Sequence, residues 1–288
     1  MIALAAMTMT LGSCSDSENT TGTEAPKSIT VSTSIGKMTR ITTDAKGTQT
    51  FSEGDEISVY AWTGSSDKVP AAAERVVNNA INKLTDKVWV PTPQMLWKNN
   101  LDQHYFIGIY PTKNVDNLTA DTYTFNAENQ AASDLLVAVN VKGLSYTKDA
   151  KDAVKLDFTH VMAKMVVNLT YKNQWGGTPT VKNVVVSDAV KEATINYLTK
   201  AVTPTATAKA DFEVPATVAN TQYVSVLIPQ TGIQKLAITI GEKTFIYDNG
   251  TPFNFESGKI TTINLEVGRD QVILDEVKIS DWENGSTF

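Results

Sequence analysis

The sequence of 288 residues predicts an all-β fold built from two tandem β-sandwich domains, and three observations lead to this prediction. Apolar residues alternate with polar ones in most segments, which is typical of half-buried β-strands. Glycine, proline, asparagine and aspartate separate these segments at short intervals, as in antiparallel sandwiches. The chain is also longer than one ordinary domain, so two domains, or a single large one, are expected.

The N-terminus is predicted to be an export signal. Residues 2–11 form an apolar run that is too short to span a bilayer but has the length of a signal-peptide core. The sole cysteine, Cys14, ends the segment Leu11–Cys14, which resembles the lipobox of bacterial lipoproteins. In such signals the cysteine is acylated and becomes the first residue of the mature chain. We therefore predict a lipoprotein signal peptide at residues 1–13 and lipidation at Cys14.

This signal departs from the usual pattern in one respect. No lysine or arginine precedes Ile2, so the basic segment is missing, and we expect the true start codon to lie upstream. The alternative is a disordered N-terminus with an incidental cysteine. The polar, acidic stretch after Cys14 resembles the surface-export signals of some Gram-negative lipoproteins. Residues 14–27 are rich in serine, threonine, glutamate and glycine and predict a flexible tether.

The folded part is predicted to begin with a first strand at Ser28–Ile35, in which apolar and polar residues alternate. A polar loop, 36–47, follows it. The run 105–110 is apolar on both faces, which predicts a central strand. Further alternating strands are predicted at residues 57–62, 164–172, 236–240 and 262–267.

Two segments are less regular. Residues 76–86 fit a helical stripe but are rich in asparagine, a poor helix former, so a helix and a strand with loops both remain open. The turn residues 248–250 predict a hairpin between 245–247 and 253–255. The domain boundary is not marked by a linker, and we place it after residue 153 in a polar stretch, which gives an N-terminal sandwich at 28–153 and a C-terminal sandwich at 154–288.

The C-terminal segment, 270–288, changes phase. Its apolar positions are Val272, Leu274, Val277 and Ile279, so the alternation slips by one residue between the second and the third. Such a slip predicts a β-bulge, or one strand that ends where another begins.

The motifs give no positive support for an enzyme, a cofactor or a metal site. His104 and His160 each precede a predicted strand, as structural histidines do. The carboxylates of residues 53–56 suggest either a cation site or glycosidase pair, or a solvated turn, which we favour. The tryptophans and tyrosines suggest either a sugar-stacking surface or, as we favour, core residues.

The charge of the chain argues against a nucleic-acid partner, and its hydropathy argues against a transmembrane helix. The net charge is −6, without a basic block, so a nucleic-acid partner is not expected. Beyond the signal, the sequence has no apolar run long enough for a transmembrane helix.

Six segments, in this order along nearly the whole chain, resemble the fimbrillin-like family, the type V pilins of Gram-negative anaerobes. They are Arg40 with Phe51–Tyr60, His104–Pro111, Ser133–Ala138, Phe158–Lys164, Leu227–Gln230 and Ile279–Trp282. The resemblance implies two β-sandwiches of transthyretin-like topology.

The resemblance also implies an assembly route. The subunit would be exported as a lipoprotein and cut by a trypsin-like or arginine-specific protease in the loop after the first strand. Arg40 is the best-placed site, with Lys37 and Lys46 as runners-up. The cut would remove residues 28–40 together with the lipid anchor. A strand from another subunit would then fill the vacated groove, so that subunits polymerise into a fimbria with a role in adhesion.

The residues that would take part in this exchange can be named. Ile29, Val31 and Ile35 are predicted to fill the groove from the first strand. The donor candidates are Val272, Leu274, Val277 and Ile279, and the alternative is an ordinary last strand. The expected partners are other fimbrial subunits, the processing protease, outer-membrane lipid through Cys14, and a host glycan or protein. The expected location is the outer-membrane surface, and after processing the extracellular fimbria.

The alternative function is a surface binding module that keeps its lipid, or a pilus anchor or tip adhesin. Such a protein would recognise a glycan or protein through its aromatic residues. Processing at Arg40 separates the two functions, because a binding module would keep its acylated Cys14.

Overall fold

The computed structural model describes residues 27–36, 50–130, 132–149, 151–248 and 250–282. These residues form 21 β-strands with one short helix and two 3₁₀ turns. The helix is α1 (Tyr146–Asp149), and the turns are Ala72–Glu74 and Asn173–Trp175. The strands of the first half are β1 (Val31–Ile35), β2 (Glu56–Thr63), β3 (Val77–Thr85), β4 (Val88–Thr92), β5 (His104–Tyr110), β6 (Asp121–Thr124), β7 (Leu136–Leu144), β8 (Val154–His160) and β9 (Ala163–Tyr171). The remaining strands are β10 (Val181–Val190), β11 (Glu192–Asn196), β12 (Ala201–Pro204), β13 (Lys209–Glu213), β14 (Ala216–Val218), β15 (Gln222–Leu227), β16 (Gln230–Thr231), β17 (Lys235–Ile240), β18 (Lys243–Asp248), β19 (Asn254–Phe255), β20 (Lys259–Val267) and β21 (Val272–Asp281).

A seven-stranded sheet, in the order β1-β8-β7-β5-β2-β3-β4, makes up most of the first half. Its pairs are antiparallel except for β1 and β8, which are parallel. The central position of β5 confirms the prediction from its two apolar faces, since β5 lies between β7 and β2 and five consecutive residues from Tyr105 to Ile109 are buried.

The second half contains two facing sheets. One has four strands in the order β13-β10-β17-β18, and the other has five in the order β14-β15-β9-β20-β21. Alternating side chains of both sheets meet in one apolar core, as in β-sandwiches generally. The predicted fold class, all-β with sandwich-like packing, is thereby confirmed.

The two halves are joined by backbone pairing as well as by the chain itself. Strand β6 pairs with β11, which with β12 forms a three-stranded sheet. One apolar core contains residues of both halves, among them Tyr60, Ile195 and Trp282. The boundary after residue 153 stays a prediction, because sheet pairing alone does not divide the chain. Strands from before and after this boundary pair with each other. Strand β8 begins directly after it but belongs to the first sheet, and β6 lies before it but pairs with β11.

The segment that was open between helix and strand is the strand β3. Val59 of β2 faces Ala80, whereas Ala61 faces Val77, so β3 has one extra residue at a bulge. Asn79 has φ of +57° at this point. The bulge places buried residues three apart, which imitates the spacing of a helix.

The hairpin predicted around residues 248–250 is wrong. Strand β18 pairs with β17, and β19 pairs with β16. The turn residues therefore end one hairpin and lead to a separate two-stranded ribbon, because β18 and β19 each pair with a strand that comes earlier in the chain and not with each other.

Candidate functional site

The first strand is hydrogen-bonded along both of its edges. On one side β1 runs parallel to β8, with Val31 opposite Val154 and Ile35 opposite Phe158. On the other side, the residues just before β1 bond to the segment after β4: the Ile29 amide donates to the Met95 carbonyl at 2.9 Å. An isolated antiparallel bridge at Ser28 and Leu96 continues this contact. The segment 27–35 therefore fills a gap between β8 and residues 95–97.

Alternate side chains of this segment, beginning with Ile29, point into the core of the seven-stranded sheet. Ile29 and Val31 are only 1% and 6% exposed, and Ile35 packs against the same core while partly exposed. Thr33 lies between Val31 and Ile35 and accepts a hydrogen bond from the indole nitrogen of Trp89 at 3.0 Å. The three residues predicted to fill a groove therefore lie on one face of the segment 27–35.

Aromatic side chains form the floor beneath Ile35. Phe158, opposite it on β8, packs edge-on against Phe51 with ring centroids 5.2 Å apart. Phe51 also contacts Trp89 and Tyr110 in the same way. Because Phe51 lies one residue after the point where the described chain resumes at Thr50, this aromatic cluster connects that point to β8 and to the rest of the sheet.

Loss of the first strand would leave a large apolar gap. Burial of a side chain such as Ile29 or Val31 contributes about 1.5–3 kcal/mol, so the two fully buried residues together account for roughly 3–6 kcal/mol. The main-chain groups of β8 and of residues 95–97 would also lose their partners. An open groove of this kind is a template for another strand.

The C-terminal strand, β21, is an edge strand that pairs with β20. Leu274 faces Leu265, but Glu276 faces Asn264, so Asp275 is an extra residue. The bulge predicted from the phase slip is confirmed. It keeps the four donor candidates in phase, because each lies opposite a buried residue of β20.

The two arms of β21 on either side of the bulge differ in burial. Val272 and Leu274 pack against the core of the second sandwich. Val277 and Ile279 lie on the same face of the strand but are 38% and 42% exposed. Ile273 points to the opposite face and is also 38% exposed. The second arm thus presents aliphatic side chains that its own subunit covers incompletely.

Two predicted sites lie outside the described residues. Cys14 and the processing residue Arg40 belong to the ranges 1–26 and 37–49, of which nothing is described. The described chain ends at Gly36 and resumes at Thr50 on either side of the predicted cut.

The candidates for chemistry are held in structural contacts. The buried His104 accepts a hydrogen bond from the Lys98 amide at 3.1 Å and contacts the Asp102 carbonyl at 3.1 Å. Burial lowers the pKa of His104 below its usual value. Glu53 accepts from the Asp86 amide across the turn. Within the described ranges, no group of three metal-ligating side chains occurs, and no helix is long and apolar enough to cross a membrane.

Sequence reasoning missed the segment that borders the first strand on its outer side. Met95 and Trp97 are buried there, and their backbone groups bond to residues 27–29. Residues 91–97 show no strand periodicity and contain two prolines, so only the large apolar residues indicated that this segment is buried.

Comparison with solved structures identifies proteins of the same fold. A protein from Bacteroides ovatus that is described as a putative cell adhesion protein aligns with a TM-score of 0.67 at 19% identity, over 90% of this chain and 99% of that one. A similarly described protein from Bacteroides uniformis aligns with a TM-score of 0.66 at 17% identity, over 81% and 93%. The tip fimbrial protein of Porphyromonas gingivalis, solved with a C-terminal truncation, aligns with a TM-score of 0.53 at 9% identity, over 80% and 95%.

Comparison by sequence gives the family. No curated protein matches the chain. A family model described as fimbrillin-like matches residues 39–282, which is most of the chain and includes nearly all of the described strands. The chain belongs to the fimbrillin-like family.

Proposed function

We propose that the protein is a structural subunit of a surface fimbria that assembles by donor-strand exchange. Membership of the family supports a fimbrial subunit that contacts other such subunits at the cell surface, and points to a non-enzymatic protein. The observation that carries the exchange mechanism is the first strand: it fills a gap between β8 and residues 95–97 and buries Ile29 and Val31.

The proposed route begins at the outer membrane. The precursor is anchored there through acylated Cys14, and a protease then cuts after Arg40. The cut separates the first strand and the lipid anchor from the rest of the subunit. The emptied gap exposes the apolar floor formed by Leu156 and Phe158, which favours occupation by another strand.

The proposed donor is β21 of a neighbouring subunit. Its inner face carries apolar residues two apart within each arm, which matches the spacing of Ile29 and Val31. Val277 and Ile279 are the better anchors, because they are already about 40% exposed in their own subunit. Transfer of the second arm therefore gains burial that the isolated subunit lacks.

Limited proteolysis tests this function. The purified protein is treated with a low dose of trypsin, and the products are read by N-terminal sequencing and by gel electrophoresis in detergent without strong heating. We expect a first cut after Arg40, a new N-terminus at Ile41 and ladders of oligomers. Arg40→Gln is the control and should delay both cut and ladders; sequencing would show any use of Lys37 or Lys46. A cleaved protein that stays monomeric would contradict the exchange mechanism.

The alternative is a lipid-anchored binding module, or an anchor or tip subunit that recognises a glycan or protein. Its expected feature was a platform of aromatic residues. In the described ranges, Trp62, Trp89, Trp97 and Trp282 are buried and Trp175 is half-buried. The exchange mechanism is therefore the better supported of the two.

A further inference from the structure

The end of β21 is attached to the end of β8 by a compact polar and aromatic cluster. The indole of Trp282 stacks on the imidazole of His160, with ring centroids 4.0 Å apart and planes 6° from parallel. His160 Nδ1 lies 2.8 Å from a carboxylate oxygen of Asp134. The ammonium of Lys164 lies over the Trp282 ring, 5.5 Å from its centroid. All four residues are buried.

The backbone reinforces this attachment. The amide of Trp282 donates to the carbonyl of Gly258 at 3.0 Å, and the amide of Gly258 donates to Met162 at 2.9 Å. Gly258 has φ of +68°, and a Cβ there would lie 3.1 Å from the His160 carbonyl oxygen. The turn at Gly258 therefore brings the end of β21 directly against the end of β8.

Strand β8 also holds the first strand. Its residues from Val154 to Phe158 pair with β1, and its last residue, His160, carries Trp282. Strand β8, which has seven residues, thus contacts both strands of the proposed exchange. Most of its length pairs with β1, which is proposed to leave, and its last residue contacts the end of β21, which is proposed to be donated. The β1 side is its outer edge, because β7 occupies the other edge.

We propose that the His160–Trp282 stack, with Asp134 and Lys164, is a latch that retains β21 in its own subunit, and that the first strand keeps this latch closed through β8. Loss of β1 frees the outer edge of β8, loosens His160 and releases the end of β21. This inference rests on the proposed function, since it assumes that β21 is exchangeable. It explains how an uncleaved subunit avoids donating its strand too early.

Hydrogen exchange of the intact, uncleaved chain tests the latch without any assembly step. The readout is the exchange of the β21 amides, measured by mass spectrometry at a concentration where the protein is monomeric. Val31→Ala weakens β1 in its gap, and we expect exchange in β21 to rise by about tenfold. Val59→Ala is the matched control, because Val59 is equally apolar and buried in the same core but lies on β2, away from β8. An equal rise in both variants would overturn the proposal.

A second pair of variants tests the stack itself. His160→Gln removes the aromatic contact, and we expect it to raise β21 exchange at least as much as Val31→Ala does. Adding Val31→Ala to His160→Gln should then give little further rise, because the link is already broken. Independent, additive effects would overturn the proposal. Trp282→Leu is a further variant with the same expectation.

These results separate the latch from the function that it serves. Coupled exchange in a protein that forms no ladders after cleavage would support the latch and contradict strand donation. Ladders in a protein whose β21 exchange is independent of β1 would support donation and overturn the latch.

Discussion

The burial of Ile29 gives the most direct estimate of how strongly the first strand is held. Ile29 is 1% exposed, and its backbone amide bonds to Met95. Ile29→Ala keeps the backbone bond but removes buried carbon atoms, and isoleucine-to-alanine changes at such sites cost about 2–5 kcal/mol. We expect a loss of about 3 kcal/mol in the free energy of unfolding of the uncleaved chain.

Urea denaturation followed by tryptophan fluorescence measures this loss. At constant slope, the shift of the midpoint reports the change in stability. Ile35→Ala is the matched control, because Ile35 is the same residue type in the same segment, 27–35, but is partly exposed, so its loss should be about half as large. A cost below about 0.5 kcal/mol for Ile29→Ala would refute the idea that this strand fills an apolar gap.

Three further predictions concern the same sheet. Gly108→Ala should destabilise the protein by about 1–3 kcal/mol in urea denaturation, because a Cβ there would lie 2.7 Å from the Phe158 ring; an unchanged midpoint would show that the ring can move aside. Because burial lowers the pKa of His104, the unfolded chain binds its proton first as the pH falls below about 6.5, so stability should decline from there towards the folded pKa. His104→Gln should therefore lose less stability than the wild type between about pH 7 and pH 5, and equal losses would contradict this reasoning. Asn79→Val should cost about 1–2 kcal/mol in the same assay while Asn79→Gly costs less, since the left-handed conformation of Asn79 disfavours branched side chains; equal costs would contradict the bulge in β3.

Local patterns predicted the strands well where enough apolar and polar residues alternate without a bulge. The central strand β5 follows from two apolar faces, and the bulge in β21 follows from a phase slip. In β3 the same kind of bulge concealed the strand, because the spacing from Val77 to Ala80 is also helical. A bulge is thus readable only where enough alternation remains on both sides.

The choice of partner strands could not be read from the sequence. The pairing of β6 with β11, and of β1 with β8, joins segments far apart in the chain. Such pairing depends on which faces are buried together rather than on local propensity. The contact of His160 with Trp282 is of the same kind, since each residue alone is an ordinary strand-end residue.

The inner face of β21 offers the most direct test of strand exchange. Val277→Asp and Ile273→Asp change residues of equal exposure, 38%, on opposite faces of the same strand. Each variant is first shown to match the wild type in its urea midpoint, and is then cleaved by trypsin beside it. The account predicts that Val277→Asp abolishes the detergent-resistant ladder and that Ile273→Asp preserves it. Ladders of equal length from both variants would contradict donation through the inner face of β21.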